Sequence, residues 1–331
     1  MEEFKFTDIE KIIETDSFGA NQTETESKEL INNIKDFFKS KKEKKAVLGL
    51  DIYQYSKYKG EKQDLIPVIL KKLLDKAFND FKKYEKESYN RNQNILTDFI
   101  DTGDGGYWFF DNPLDALVFT MYINLTVHAF NSYIFYPRLR EHIGIFTVRF
   151  ALTYDDVYKL DGKNYGTAII NNARIMSKDK LNRLLIDETT YDWFLKELNG
   201  VENIKNFVSV NLQKNNRIIA LKDKDYEIDD PLDLLKSKYE NSLVLGVWKE
   251  NESKKDLAKG NLDLSRELFD VITNVICQKL EQINVKDDSF KVYNLFIQYR
   301  LNIDNDENIT PKEYYEEALS VSLGNLNTNG I

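Results

Sequence analysis

The stretch that decides the fold is Ala46–Asp51 (AVLGLD), a run of small and apolar residues that ends in an aspartate. A short apolar run of this kind predicts a strand buried on both faces. Apolar residues at helical spacing follow from Ile66 to Tyr84, so we expect the strand to lead into a helix. A carboxylate at the end of such a strand is held rigidly by the sheet.

The residues that follow predict a hairpin and then a second helix. The short apolar runs Ile95–Ile100 and Tyr107–Phe110 flank Asp101–Gly106 (DTGDGG), which has the composition of a tight hairpin turn. Pro113 suits the first position of a helix that runs to about Tyr136. Further predicted elements are a strand pair at Phe146–Thr153 and Val157–Leu160, a helix at Gly166–Met176, a strand at Leu184–Ile186, a helix at Thr189–Leu198, and a closing hairpin at Phe207–Leu212 and Arg217–Leu221.

The order β-α-β-β-α-β predicts an α+β, ferredoxin-like fold in which helices cover one face of an antiparallel sheet. We divide the chain into a polar extension at 1–43, a main domain at 44–225 and a helical accessory region at 226–331. The extension contains one amphipathic helix, indicated by Leu30, Ile31, Ile34, Phe37 and Phe38. The accessory region is predicted to be helical because of the apolar face formed by Leu264, Leu268, Val271, Ile272 and Val275.

Composition excludes several classes of function. The formal net charge of -9 and the pI of about 5.1 argue against bulk electrostatic binding of nucleic acid or of an anionic membrane. The first residues lack the layout of a secretory signal, so we expect a cytoplasmic protein. Cys277 is the single cysteine, and His128 and His142 are the two histidines. Internal disulfides and thiolate zinc sites are therefore excluded, and carboxylates must hold any catalytic metal.

Two aspartates and one arginine are the candidates for chemistry. Alone, Asp51 is explained as a helix cap, and Asp104 as an ordinary residue of an Asp-Gly turn. Together, two aspartates at the ends of adjacent strands can clamp two divalent ions. Arg174, in a helix whose other residues pack, is either a structural salt-bridge partner or a fixed cation for a triphosphate.

At residues 44–222 the chain resembles the catalytic domain of the class III adenylate and guanylate cyclases. The resemblance rests on four motifs in the family's order: Asp51-Ile52-x-x-Tyr55-Ser56, Gly103-Asp104, Arg149–Leu152, and Tyr165-Gly166 eight residues before Arg174. More narrowly, Asp101–Gly106, Tyr165–Arg174 and Ser177–Arg183 resemble the Pycsar antiphage pyrimidine cyclases.

The resemblance implies a site shared between two subunits. Asp51 and Asp104, with the backbone carbonyl of Ile52, would hold two Mn²⁺ or Mg²⁺ ions. Arg174 would come from the opposite subunit of a homodimer. The backbone N–H groups of Tyr53 to Ser56 open the expected helix after the first strand, and helix N-termini bind phosphate oxygens.

Three positions indicate a change in the base that is recognised. The position four residues before the second metal aspartate is lysine in adenylate cyclases and glutamate in guanylate cyclases, and here it is Ile100. The companion position falls on Lys163, and the aromatic wall of the base pocket falls on Tyr55, whose hydroxyl is expected to meet a base edge. The family's asparagine four residues before the arginine is replaced by Ile170, and its phosphate-binding lysine has no clear counterpart, Lys214 being the nearest.

These positions indicate a changed base preference, and the resemblance implies a pyrimidine nucleotide cyclase that acts on UTP, with CTP as the close alternative and ATP behind both. The resemblance implies a second messenger for antiphage defence that a separate cyclic-nucleotide-binding effector reads, with no nucleic-acid or membrane partner. The alternatives are an adenylate or guanylate cyclase, and a non-catalytic cyclase-like module for dimerisation or binding.

Overall fold

One long, mainly antiparallel sheet organises the chain. The computed structural model describes residues 3–13, 24–133, 135–200, 210–211, 242–247, 272–280, 282–285, 288–302, 318–325 and 327. The elements up to the middle of the chain are β1 (Glu3–Phe4), α1 (Phe6–Ile13), α2 (Glu24–Lys41), β2 (Glu43–Ile52), α3 (Glu61–Tyr84), α4 (Lys86–Arg91), β3 (Ile100–Asp101), β4 (Gly105–Phe110), α5 (Pro113–Asn131) and α6 (Pro137–Ile143).

The second half contributes more strands than helices to the described part of the chain. Its elements are β5 (Val148–Leu160), β6 (Lys163–Tyr165), α7 (Thr167–Lys178), β7 (Leu184–Asp187), α8 (Glu188–Gly200), β8 (Val210–Asn211), β9 (Ser242–Val247), β10 (Ile272–Lys279), β11 (Ile283–Val285), β12 (Asp288–Phe290), β13 (Val292–Asn302) and β14 (Ala318–Leu323).

The first half of the sheet has the ferredoxin-like arrangement that the sequence predicts. The chain order is β2-α3-β3-β4-α5-β5, and the spatial order of the strands is β3-β4-β2-β5. The strand β2 lies in the centre and pairs antiparallel with both β4 and β5. The α+β fold class is thus confirmed, and the aspartate-bearing strand is its central strand.

Alternate residues of β2 face two different layers, because successive side chains of a strand point to opposite faces. Ala46, Leu48 and Leu50 are fully or almost fully buried in the core that includes residues of α3 and α5. Val47, between them, packs with Ala168 of α7 on the other face. Helices therefore cover this part of the sheet on both faces, and not on one face as the sequence predicts, because α7 packs on the side opposite α3 and α5. Asp51 shares the α7 side with Val47.

A buried asparagine fixes α7 on the sheet. The Nδ2 atom of Asn172 donates to the carbonyl oxygens of Val47 at 2.7 Å and of Ala151 at 2.9 Å, and lies 3.3 Å from Thr153 Oγ1. The helix approaches so closely that a Cβ atom at Gly49 would overlap Oδ1 of Asn172. Gly49 is thus needed here for its lack of a side chain.

Three predicted boundaries are corrected. The strand pair predicted at Phe146–Thr153 and Val157–Leu160 is one continuous strand, β5, because residues 154–156 also pair with β2. Of the predicted strand Ile95–Ile100, only Ile100 is in β3, and the residues before it form a turn. The helix from Pro113 ends at Asn131, before Tyr133 and Tyr136, which have φ of 64° and 51°.

The predicted helix in the C-terminal region is wrong where the structure describes it. Ile272 and Val275 lie in β10, which pairs antiparallel with β9 and β13. Short apolar runs fit either a strand or a helix, and here the pairing partners decide. Leu264, Leu268 and Val271 lie outside the described residues.

The sheet runs on from the predicted main domain into the C-terminal region, because β13 pairs antiparallel with β7. Of the predicted closing hairpin, only Val210 and Asn211 are described, as β8, and they pair with β9. The division into 1–43, 44–225 and 226–331 stays a prediction. The amphipathic helix of the extension is α2, and none of the described helices is long and apolar enough to cross a membrane.

The docking of α7 gives a first testable prediction. We expect Gly49→Ala to lower the free energy of unfolding by about 2 kcal/mol, since a methyl group in this closed contact forces buried groups apart. The same change in an Asn172→Ala background should cost about 1 kcal/mol or less, because the overlapping oxygen is gone. Urea denaturation of the four proteins measures this coupling. Equal costs in the two backgrounds would contradict the contact.

Candidate active site

The sheet brings Asp51 and Asp104 together. Asp51, near the end of β2, pairs with Gly105 of β4, and the amide of Ile52 donates to the carbonyl oxygen of Asp104 at 3.1 Å. A Cβ atom at Gly105 would overlap the backbone of Leu50, so only glycine permits this approach. The turn itself is closed by Asp101, whose Oδ1 accepts from the amide of Gly103 at 2.8 Å.

Burial and mutual repulsion mark this pair of acids. The pKa of Asp51 is raised, first by burial and further by the neighbouring Asp104, while Arg149 opposes the shift. The pKa of Tyr107 is also raised, by burial and then by Asp51 and Asp104. The pKa of Tyr55 is raised as well, first by burial and then by the charge of Asp104. The site is therefore a region of negative potential that favours a cation.

Arg149 supplies the positive charge within this chain. Its Nε donates to Asp51 Oδ2 at 2.7 Å, and its Nη2 lies 2.5 Å from the same oxygen. Its Nη1 donates to the backbone carbonyl of Asp179, which follows α7. Asp179 is held in turn by a fully buried ion pair with Arg183, at 2.9 Å. Arg149 is thus anchored on the loop after α7 while it neutralises Asp51.

The oxygen ligands fit a hard divalent cation. Two carboxylates from adjacent strands are the donor type that Mg²⁺ and Mn²⁺ prefer, and both contacts of Arg149 to Asp51 use Oδ2 rather than Oδ1. Among the described residues there is no group of three or more histidine, cysteine, aspartate or glutamate side chains that could hold a metal. A metal here would therefore depend on Asp51, Asp104 and backbone oxygens such as that of Ile52.

Arg174 faces away from the sheet. Asn172 points into the sheet, and two further residues turn an α-helix by about 200°. Arg174 is half-buried, and its Nη1 lies 3.5 Å from Asn171 Oδ1. Ile170, one turn earlier on the same face, is 52% exposed. The outer face of α7 thus presents an arginine and an exposed isoleucine.

The predicted phosphate cradle is corrected in two respects. The amide of Tyr53 donates to the carbonyl of Thr147 at 2.9 Å, so it is already used by the sheet. The helix expected after the strand is a single 3-10 turn at Tyr55–Lys57, and α3 begins only at Glu61. Ser56 is exposed on that turn. The side chain of Tyr53 reaches the loop after α7, where its hydroxyl donates to Lys180 O at 3.1 Å.

The three predicted base-recognition residues lie in different places. The hydroxyl of Tyr55 donates to Gln63 O at 2.8 Å, so the group expected to meet a base edge is already engaged. Ile100 is half-buried against the cluster of Val47 and Phe109 and pairs with Tyr107, close to the turn of Asp104. Lys163 is exposed and pairs with Leu160 at the far end of β5, roughly 35 Å from Arg149 at about 3.3 Å per residue.

Sequence reasoning assigned no site role to Arg149, Asp179 or Tyr107. Arg149 had been noted only as the first residue of a strand motif. Its partnership with Asp51 follows from the register, because the two residues are directly paired in β2 and β5. The partnership of Arg149 with Asp51 can be found only when it is known that β2 and β5 are neighbouring strands.

No protein-family model matches the chain, and no curated protein sequence matches it. Among solved structures it resembles the guanylate cyclase domain of RhGC from Catenaria anguillulae in complex with GTP, at 13% identity and a TM-score of 0.39, over 77% of this chain and 97% of that one. It also resembles the adenylyl cyclase CyaB from P. aeruginosa, at 14% identity and a TM-score of 0.34, over 81% and 97%. A third is the adenylate/guanylate cyclase/hydrolase from Silicibacter pomeroyi, at 17% identity and a TM-score of 0.32, over 54% and 91%. At these scores and identities, the case for a function rests on the geometry of the site.

The ion pair of Arg149 and Asp51 gives a second testable prediction. We expect Arg149→Gln to lower the melting temperature of the metal-free protein, because Asp51 and Asp104 lose their counter-charge. Mn²⁺ should then bind about fivefold tighter than in the wild type, since about 1 kcal/mol of competition for Asp51 is removed. Calorimetric titration with MnCl₂ measures this affinity, and Arg138→Gln on α6 is the matched control. Weaker binding of Mn²⁺ by Arg149→Gln would show that the guanidinium assists rather than competes.

Proposed function

We propose that this protein is a class III-type nucleotide cyclase, which converts a nucleoside triphosphate into a 3′,5′-cyclic monophosphate and pyrophosphate. One observation carries the proposal: Asp51, near the end of β2, lies beside Asp104, which directly precedes the neighbouring strand β4, and Asp104 raises the pKa of Asp51. The two metal-binding aspartates of the class III cyclase motifs must lie beside each other in this way. A helix cap or a turn residue alone requires no such meeting.

The residues of this chain suggest how the reaction would proceed. When bound, two divalent ions would lower the pKa of the substrate's 3′-hydroxyl and neutralise the triphosphate charge. Asp51, Asp104 and the carbonyl of Ile52 would hold those ions. The 3′-hydroxyl would give up its proton to water and its oxygen would attack the α-phosphorus in line, so that the new bond to phosphorus forms as the bond to the β-phosphate oxygen breaks and pyrophosphate leaves. No covalent intermediate with the protein is needed.

The outward position of Arg174 supports a shared site. Arg174 leaves α7 about 200° around the helix from the sheet-facing Asn172, on the side opposite the sheet that carries Asp51. A second copy of the chain would supply its own α7 and place Arg174 against the developing phosphate charge. The exposed Ile170 beside it is suited to an apolar contact in such a homodimer.

We further propose that the substrate is a pyrimidine triphosphate, UTP first and CTP second. Ile100 lies close to the turn of Asp104 and presents an apolar side chain where purine cyclases carry a polar selector. Lys163 lies far from Asp51 within one chain, so any contact of Lys163 with a base requires the partner subunit. An antiphage role and a separate effector for the cyclic product rest on the resemblance alone, and a cytoplasmic location rests on the layout of the first residues.

A non-catalytic dimerisation or binding module is the second candidate. The observation that favours it is Ile170, which stands where the family's ribose-binding asparagine is expected. Asn171 is adjacent and lies against Arg174, but it points at a different angle from the helix axis. Release of pyrophosphate in the presence of Mn²⁺ separates the two candidates.

The third prediction concerns substrate choice and the metal ligands. With Mn²⁺ and each of the four triphosphates, we expect cyclic UMP or cyclic CMP well ahead of cyclic AMP and cyclic GMP, identified by mass spectrometry. Asp51→Asn and Asp104→Asn should each abolish the product while circular dichroism shows an intact fold. Cyclic AMP formed at an equal or faster rate would refute the pyrimidine preference. Activity that survives chelation would refute the metal mechanism.

The fourth prediction tests the shared site by mixing two inactive variants. Arg174→Ala should lose ~10³-fold in rate, as removal of an arginine aimed at transferring phosphate commonly does. Mixed dimers with Asp104→Asn contain one site with both changes and one with neither. At equal amounts about half the dimers are mixed, so activity should recover to roughly a quarter of wild type. If both residues served a site within one chain, confirmed subunit exchange would restore nothing.

A further inference from the structure

A basic cavity lies at the opposite end of β2 from the candidate active site. Its volume is about 520 Å³, and it is lined by Ile34, Lys35, Phe38, Lys39, Lys42, Asp156 and Tyr158. The helix α2 forms one wall and β5 the other. Lys42 directly precedes β2, so the cavity lies roughly 30 Å from Asp51 at about 3.3 Å per residue. One substrate molecule cannot span both places within the chain.

The lysines of this cavity carry more positive charge than their surroundings neutralise. Lys42 faces Asp156 across the cavity at 3.8 Å. Lys35 and Lys39 form no ion pair with any residue that the structure describes. The next lysines along the chain differ, because Lys44 pairs with Asp155 and Lys45 with Asp111. In a chain of net charge -9, this is a local excess of positive charge.

Helix stability explains only part of this arrangement. Lys39 is in the last turn of α2, where a cation complements the helix dipole. Lys35 lies one turn earlier, outside that end effect, and Lys35 and Lys39 are neighbours on one face of the helix. Both lysines are exposed at the wall of the cavity, and neither has an acidic partner among the described residues.

The rest of the lining is aromatic and held in place. The rings of Phe38 and Tyr158 meet edge to face at 5.2 Å, and Phe4 packs against both. Tyr158 also stacks on Tyr165, at 5.6 Å. Packing on several sides fixes these rings before any ligand arrives, which lowers the entropic cost of binding.

We propose that this cavity binds a phosphate-bearing small molecule of nucleotide size. The phosphates contact Lys35 and Lys39, and a planar ring lies against Phe38, because Phe4 and Tyr165 already stack on Tyr158. The volume is in the range of roughly 300–1,000 Å³ that is typical of small-molecule sites. Lysine is a common phosphate ligand, and a nucleobase stacks on aromatic rings whatever its identity. This binding does not depend on the proposed cyclase activity.

The test measures binding under conditions that silence the candidate active site. We would use the full chain with Arg174→Ala in the presence of EDTA. The substitution removes the arginine that would bind the triphosphate at that site, and EDTA removes the metal. Calorimetric titration with ATP and UTP should show about one site per chain in low salt, with affinity that falls as salt is added. Tripolyphosphate should bind more weakly than the nucleotides, because it has no ring. Absence of nucleotide binding at millimolar concentration would overturn the proposal.

Matched variants locate the site. Adding Lys35→Gln and Lys39→Gln should weaken nucleotide binding at least tenfold, while Lys71→Gln and Lys72→Gln on the exposed side of α3 should leave it unchanged. Equal losses in the two pairs would reduce the effect to general electrostatics and overturn the site. Circular dichroism and melting temperature confirm that each variant is folded.

A membrane surface is the other source of phosphate groups. Sedimentation with phosphatidylglycerol vesicles should leave the protein in solution, since a bilayer cannot enter the cavity. Sedimentation that is lost with Lys35→Gln and Lys39→Gln would overturn the small-molecule ligand in favour of lipid headgroups.

Discussion

The structure depends on the pairing of β2 with β4 on one side and β5 on the other. This pairing buries the apolar residues of β2 and makes it an interior strand of the sheet. Because side chains alternate along a strand, the same register that buries Leu50 presents Asp51 on the opposite face. A shift by one residue would bury the carboxylate in the apolar core. The register of β2 that forms the core therefore also places the candidate metal ligand.

The charge of the site is balanced by the same register. Arg149 is paired directly with Asp51 across β2 and β5, and its guanidinium is held by the carbonyl of Asp179. The positive charge of Arg149 offsets the repulsion that Asp104 exerts on the Asp51 carboxylate, so the two acids can lie side by side. The buried ion pair of Asp179 and Arg183 gives that anchor a fixed position, because a buried charge is stable only with its partner.

The contact between α7 and the sheet determines which residues of the proposed site a single chain can supply. Gly49 lets Asn172 approach the backbone of β2 and β5, and this fixes the rotation of the helix. Arg174 is then turned outward, together with the exposed Ile170. Under the proposed cyclase function, the chain would separate a carboxylate half-site from an arginine half-site. Two copies related by symmetry would join one half to the other.

Local sequence by itself determined the elements that depend on nearby residues. The apolar run before Asp51 determined β2, helical spacing determined α2, α3 and α7, and the glycine-rich turn determined the place of Asp104. Tertiary structure alone decided that β5 is one strand and that Ile272–Lys279 pairs as a strand instead of forming a helix. It also decided the contact between Arg149 and Asp51, which are 98 residues apart in the chain. Periodicity and turn chemistry act over a few residues, whereas pairing partners, register and the direction of a polar side chain are set by segments distant in sequence.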